Sequence, residues 1–443
     1  MNQCKTTVIH TNGSECGNRS VVVIGGGASG MLAAIACRKA AERTKKGCSI
    51  VLLERNVHPG SKIKISGGGK CNVTHQGTPD ELLRIGFLRQ KEQRFLRHAF
   101  YSFTSNNLVE LLFRGGVLTF QRDDGKVFPV NGNGLSVVLL LEKLLRESAV
   151  NSFFSNRVLS VEQHKGQFLV TTNRSSFIAD VVIVATGGVS YSRTGTTGDG
   201  LQIARAFGHS FKDTSPALAP VYTKKPFPLA GVSLCSIDFL AQAGDDRSVV
   251  RRGDLLFTHH GFSGPVVLSL SRDIAELRAI YANILLFADL FPELTKVELE
   301  EKLLTQARKS GTQMVRKYLQ GTHTGINNKI VGIIPSPLVP YLMSQASLDN
   351  DVTWSGLLRE KRQLLLHALK HFPLGNVLDV PLDQGEISAG GVLLDEVNPK
   401  TMESRLVPNL FFCGELLDYA GEIGGYNLQA AFSTGWLAGS NAI

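Results

Sequence analysis

Three glycines spaced as Gly25-x-Gly27-x-x-Gly30, with Ala28 and Ser29 between the last two, stand between a β-branched run and an alanine-rich run. In that setting the first glycine permits a sharp turn. The second lets a pyrophosphate approach bare backbone, and the third lets a helix pack closely on a strand. The N–H groups that open the helix then face the phosphates and stabilise them through hydrogen bonds and the helix dipole. Glu54 lies 24 positions beyond Gly30, followed by Arg55. At the end of the next strand its carboxylate is placed to accept hydrogen bonds from an adenosine ribose. These residues are suited to holding a dinucleotide; the competing reading is a glycine turn that binds nothing.

The elements that position them can be read from the pattern. Ser20–Ile24 is a buried strand, Met31–Lys46 a helix and Ser49–Leu53 a second strand, together one βαβ unit. Helices are expected over 92–114 and Asn131–Glu147, and strands at Arg157–His164, Gln167–Thr172 and Ala179–Ala185. Past residue 210 the texture changes: 214–290 reads as short strands, while 296–320 and 336–371 are helical in period. The first texture returns with the strand Leu410–Cys413 and the helix Tyr426–Ser440. The expected fold class is α/β, a Rossmann-type domain interrupted by an insert with a β-barrel-like part and a helical part. Its divisions are a disordered tail (1–18), the first part of the nucleotide domain (19–210), a β-rich insert (211–295), a mainly helical insert (296–380) and the closing part (381–443).

The fingerprint alone does not choose between NAD and FAD, but the last segment does. A strand followed by Gly414-Glu415, a loop ending at Gly425 and a helix from Tyr426 matches the closure of a flavin domain. There the acidic residue meets the ribityl chain and the helix start faces the N1/C2=O edge, where its partial positive charge favours the reduced anion. The plainer reading makes Glu415 an ordinary exposed turn carboxylate. Ala185-Thr186-Gly187-Gly188 ends a strand and Gly198-Asp199-Gly200 opens a helix, and both could bring backbone close to the cofactor. Neither is a second strand-GxGxxG-helix unit, so nicotinamide nucleotide has no dedicated domain and NAD(P)H could act only as a transient reductant. The loop Ser66-Gly67-Gly68-Gly69-Lys70-Cys71-Asn72 fails the P-loop pattern, because Lys64 stands at the first glycine and Cys71 replaces Ser/Thr. It fits backbone passing tightly along a flavin.

His259 and His260 precede Gly261-Phe262-Ser263-Gly264-Pro265. As neighbours in a strand they point to opposite faces, so they cannot form a helical metal pair; one is a candidate acid or base at the flavin cleft, with a structural role as the alternative. Tyr191 is a candidate lining residue for a small polar substrate. No metal site is expected. Seven scattered cysteines with no Cys-x-x-Cys pair indicate a reducing compartment, and Cys71 reads as a buried thiol. The net charge of +9 is spread along the chain and no basic patch interleaved with aromatics stands out, so nucleic acid is not an expected partner. Residues 1–18 lack an apolar signal core and no apolar run reaches membrane-spanning length, which leads to an expectation of a cytoplasmic protein acting on a small molecule.

Taken together, Val22–Gly30, Lys62–Asn72, Asp124–Val130, Ala185–Gly200, Leu256–Pro265, Ile387–Val392, Asn398–Ser404 and Phe411–Gln429 resemble one group. It is the bacterial flavoprotein family with aminoacetone oxidase-like and 3-dehydro-bile-acid reductase-like members. The resemblance covers nearly the whole chain from residue 20. It implies tightly but non-covalently bound FAD, with Lys62, Gly390-Gly391-Val392 and Asn427-Leu428-Gln429 near the flavin. Ser192-Arg193 departs from the Pro-Lys of many relatives. The implied activity is hydride transfer through flavin N5 with a small organic substrate, either amine oxidase-like or enone reductase-like. A flavin-dependent RNA-modifying protein and a non-catalytic flavin-binding regulator are the alternatives.

Overall fold

The computed structural model describes residues 7–10, 19–244, 247–320 and 334–443. The chain divides into two units: Met1–Ser215 with Glu386–Ile443, and Pro216–Gly385.

The first unit is built on a five-stranded sheet in the order Leu410–Phe412, Val181–Val184, Arg19–Ile24, Cys48–Leu53, Asn151–Phe153. Every neighbouring pair is parallel. Parallel strands are covered on both faces, which is why Val21, Val22, Val23 and Val181–Val184 are continuous apolar runs with no exposure. Helix Ala28–Thr44 follows the first strand of the sequence motif, and helix Tyr426–Asn441 lies directly against it. Their backbones nearly touch: a Cβ on Gly435 would fall 2.2 Å from Ser29 O, and one on Gly439 2.1 Å from Ala33 O. Gly435→Val should therefore destabilise the protein by roughly 3 kcal/mol, at the top of the usual overpacking range. A denaturation midpoint equal to wild type would show that the two helices separate without cost.

A meander of Val158–His164, Gln167–Thr172 and Ser175–Ala179 lies beside this sheet in the sequence order expected. Thr7–His10 pairs in parallel with Ser175–Ala179, so this part of the expected tail carries structure; residues 1–6 and 11–18 lie outside the described residues. The single strand expected at Ala179–Ala185 is two, divided at Asp180, whose carboxylate accepts the Ser20 N–H and hydroxyl, each at 2.8 Å. The helix expected at 92–114 is likewise two, Gln90–Ser102 and Ser105–Arg114, because Thr104 caps the second through a capping box with Asn107.

The second unit contains a closed six-stranded barrel: Val221–Thr223, Gly261–Ser263, Arg247–Phe257, Ser233–Ala243, Leu285–Asp289 and Phe372–Asp379. Phe239, Phe257, Phe262 and Phe372 fill its core. The expectation of strands alone through 214–290 is corrected here, since Pro265–Arg278 is a helix. Proline suits the first helical position, where its missing N–H goes unused, and Val266, Val267, Leu270 and Ile274 fall on one helical face that is buried. The helical part consists of Lys296–Lys309, Val315–Leu319, Val339–Gln345 and Arg359–Lys370. No described helix is long and apolar enough to cross a membrane.

Candidate functional site

The glycine turn behaves as its spacing requires. Gly25 has a φ of 109°, and a Cβ there would lie 2.4 Å from Ala185 O. Gly30 is stricter still, since a Cβ would sit 1.8 Å from Gly25 O. Around a Cβ on Gly27 there is nothing within 4 Å, so this glycine faces open space rather than neighbouring backbone. No side chain caps the helix that begins at Ala28. Free N–H groups at a helix start, with room in front of them, form a phosphate site.

Glu54 is 7% exposed. Its Oε2 accepts the Gly26 N–H and its Oε1 the Asn56 N–H, both at 2.7 Å. Burial pushes its carboxyl up and these backbone donors pull the other way. The carboxylate thus braces the glycine turn, and its remaining lone pairs suit a ribose hydroxyl. Arg55, expected at the cofactor, bonds Thr197 Oγ1, Asp199 Oδ2 and Gly195 O. Arg157 also grips Asp199, at 3.0 Å through both carboxylate oxygens. Burial would raise the Asp199 carboxyl, but Arg157 and Thr197 outweigh it and hold it below the usual range.

The Ser66–Asn72 loop turns through Gly67, Gly68 and Gly69, all at positive φ, and Cys71 is left-handed at 58°. The Cys71 N–H donates to Ser66 O at 2.9 Å, and burial pushes its thiol up to about 11, which makes it a poor nucleophile. Lys70 is exposed. Asn72 Oδ1 is buried without a hydrogen-bond partner, 2.9 Å from where a Cβ on Gly425 would be; Thr186 Oγ1 is a second such atom. Orphaned polar atoms of this kind are uncommon in folded proteins and call for a partner such as water, an ion or a ligand group.

The closing segment holds the densest polar cluster. Glu415 is not an ordinary turn carboxylate: its Oε2 pairs with Lys62 Nζ at 2.8 Å, while its Oε1 accepts the Ser388 N–H at 2.8 Å and the Ser388 hydroxyl at 3.0 Å. Lys62 Nζ also donates to Ser190 Oγ at 2.7 Å. Gly188 packs against this cluster: a Cβ there would lie 2.1 Å from Ser388 Oγ and 2.6 Å from Glu415 Oε1, so a larger residue would have to displace those side chains. Ser190 and Ser388, which hold this cluster together, were absent from the sequence-based site. Both fall within recognised motifs, but nothing in their local spacing singled them out.

The other expected positions divide by how their side chains are used. Gln429 is fully buried, with its amide committed to Thr74, Phe103 and Ser433. Asn427 clamps both backbone groups of Gly421. Tyr426 stacks on His75 with ring centroids 5.0 Å apart, and Leu428 is half-buried. A contact from Asn427 to a cofactor would therefore run through its backbone N–H at the helix start, whereas the Gln429 N–H is already donated to Gly425 O at 3.0 Å. Gly391 carries a φ of 129° and its side-chain direction is filled by Leu416 backbone at 2.4 Å. Gly414 and Gly187 likewise sit at positive φ, against Ser29 and Thr196.

His259 and His260 are not in a strand as expected. They occupy the turn between Arg247–Phe257 and Gly261–Ser263, both are exposed, and His260 lies against the Tyr222 ring at 5.3 Å. Tyr191 is held at φ 50°, its carbonyl accepting from Thr194. Among the described residues there is no group of three potential metal ligands. A chain of buried Ser404, buried His209 and half-buried Glu396, at 2.7 and 3.0 Å, imitates a hydrolytic triad. Ser404 Oγ also accepts the Leu406 and Val407 N–H groups, so it ties chain segments together and presents no nucleophile.

An open phosphate turn, a braced ribose carboxylate and unpartnered polar atoms together fit an FAD. The HI0933-like protein Rossmann domain family matches residues 19–441. The chain is 31% identical to a 3-dehydro-bile acid delta(4,6)-reductase of Clostridium scindens, over 95% of this chain and 98% of the relative. It is 28% identical to a ribosomal RNA dihydrouridine synthase of Escherichia coli, over 95% and 97% respectively. Its fold is similar to that of 3-ketosteroid delta1-dehydrogenase from Sterolibacterium denitrificans, with a TM-score of 0.51 at 13% identity, covering 96% of this chain and 99% of that one. The chain belongs to the HI0933-like family of FAD-binding Rossmann proteins and is an FAD-dependent oxidoreductase.

Proposed function

We propose that this enzyme reduces a carbon–carbon double bond conjugated to a carbonyl group in a small molecule, with a nicotinamide nucleotide as transient reductant. Lys62 carries the reading. Its ammonium is fixed by Glu415 and Ser190, which leaves its third N–H unspent among the described residues. Hydride addition at the β carbon throws negative charge onto the carbonyl oxygen, and a prefixed cation with a spare donor stabilises that charge. Tightly and non-covalently bound FAD would supply the hydride donor. Tyr191 is proposed as a substrate contact, since left-handed strain in a non-glycine residue is retained where geometry matters.

The relatives' names support the same chemistry. The delta(4,6) double bonds of a 3-dehydro-bile acid form a diene conjugated with the 3-keto group. Dihydrouridine is uridine saturated at the double bond conjugated with its C4 carbonyl, so a uridine base in RNA is the second reading. Anaerobic titration tests both. NADH or NADPH should bleach the bound flavin, and a 3-keto-4,6-diene bile acid should restore its colour; a ribosomal RNA fragment doing so in its place would favour the second reading. Neither nucleotide should co-purify. Bleaching by a small primary amine, with no recolouring by either conjugated carbonyl, would overturn the proposal in favour of amine oxidation.

A further inference from the structure

We propose that Ser388 is a positioning residue for this reaction: acting through Glu415, it sets the direction in which the Lys62 ammonium presents its third N–H. The assignment rests on the reductase reading above and supplies what keeps that cation aimed. A lysine ammonium is a compact charge on a flexible four-carbon stem, so by itself it neither chooses a direction nor keeps one. A donor that is to meet charge developing on a carbonyl oxygen has to be fixed beforehand, by groups that are themselves locked.

The hydrogen bonds close a ring. Lys62 Nζ donates to Ser190 Oγ at 2.7 Å and to Glu415 Oε2 at 2.8 Å. Ser190 Oγ in turn donates to Glu415 Oε1 at 3.3 Å. With two N–H groups committed to two acceptors, rotation about the Cε–Nζ bond stops and the third N–H has one direction. The ring alone leaves the Glu415 carboxylate able to pivot, since its two oxygens are chemically alike. Ser388 removes that freedom, because its N–H donates to Oε1 at 2.8 Å and its hydroxyl donates to the same oxygen at 3.0 Å.

The serine is itself locked. Its Oγ accepts the Val189 N–H at 3.1 Å, which leaves the hydroxyl hydrogen for Glu415. Ser388 is 1% exposed and Ser190 fully buried, and every residue of strand Ile387–Val392 is buried. Three donors thus meet on Oε1, and Oε2 is left to Lys62. Among the described residues Ser388 makes no hydrogen bond to Lys62, so its influence on the ammonium passes through Glu415.

The test uses the holoprotein and two variants that break the Ser388–Glu415 contact differently, with rates taken per bound flavin. Ser388→Ala deletes the hydroxyl and keeps the N–H. Gly188→Ala leaves the serine in place but puts a methyl group 2.1 Å from its Oγ, which drives the hydroxyl off Glu415. Acylation of the lysines, followed by mass spectrometry, reads the ammonium without any turnover. An amine must leave its hydrogen bonds to react, so Lys62 should label several-fold faster in both variants while exposed Lys70 labels at its wild-type rate. Reoxidation by the 3-keto-4,6-diene bile acid should slow about ten- to a hundredfold, the scale of a small misplacement. The half-saturating concentration should stay unchanged, since a mis-aimed oxyanion donor is missed only in the transition state. In a Lys62→Met background the slowing by Ser388→Ala should vanish, because nothing remains to be aimed. Lys62 acylation at the wild-type rate in both variants, or the same slowing with and without Lys62, would overturn the assignment and leave the reductase reading standing. If the wild type is reoxidised by neither conjugated carbonyl, the reductase reading itself is at fault and takes this role with it.

Discussion

Gly27→Val should yield a folded protein that purifies colourless, whereas Gly30→Val should fail to fold. The two glycines lie three residues apart in one motif, yet their surroundings differ completely. A side chain on Gly30 meets the Gly25 carbonyl at 1.8 Å, and the strand–helix contact cannot open without unpacking the sheet. A side chain on Gly27 meets no protein atom within 4 Å. Its branched carbons would instead occupy the space in front of the helix N–H groups, where the pyrophosphate belongs. Loss of two hydrogen bonds to a charged group costs roughly 3–6 kcal/mol, or more than a hundredfold in affinity. Flavin absorbance per mole of protein, set beside circular dichroism and a melting curve, separates the outcomes. Wild-type flavin occupancy in Gly27→Val would remove the pyrophosphate from this turn.

That contrast also shows what could be read from the chain itself. The βαβ unit was legible because its signals are local: the β-branched run Val21–Ile24, stopped by three glycines, reads as a strand buried on both faces, and the glycine spacing follows from turn geometry. The barrel was legible only in part. Its closing strand, Phe372–Asp379, carries Pro373 and Gly375 within the alternation and pairs with Val221–Thr223 and Leu285–Asp289, far back in sequence. No window of the chain contains that information. Helix Pro265–Arg278 was missed because its proline reads as a breaker, while at the first helical position it is a start.

The site divides along the same line. Gly25, Gly27, Gly30 and Glu54 are fixed by spacing within one unit and sit where the motif places them. Lys62 and Glu415 are 353 residues apart, and only the fold makes them partners. Ser388 entered the sequence reading only within the segment Ile387–Val392; its role as a double donor to Glu415 has no local signature. The ion pair of Arg55 with Asp199 is of the same kind, formed across 144 residues and without a signature in the motif around Glu54.

Asn72→Leu should affect the two forms of the protein in opposite directions. Without flavin, the wild-type Asn72 Oδ1 is a buried acceptor with no donor, a state that costs about 1–3 kcal/mol. Leucine has similar volume and no polar atom, so the apoprotein should melt at the same temperature as wild type or higher. If the orphaned oxygen is the socket for a donor on the flavin ring, as its place beside the Gly425 turn at the start of helix Tyr426–Asn441 argues, the holoprotein loses that bond. Flavin affinity should then weaken by a comparable ~1–3 kcal/mol, about ten- to a hundredfold. Gln429→Leu provides the contrast, because all of its amide bonds are to the protein and its removal should destabilise apoprotein and holoprotein alike. Melting curves of both forms together with a flavin fluorescence titration decide the matter. A destabilised Asn72→Leu apoprotein with unchanged flavin affinity would mean that Asn72 serves the fold alone.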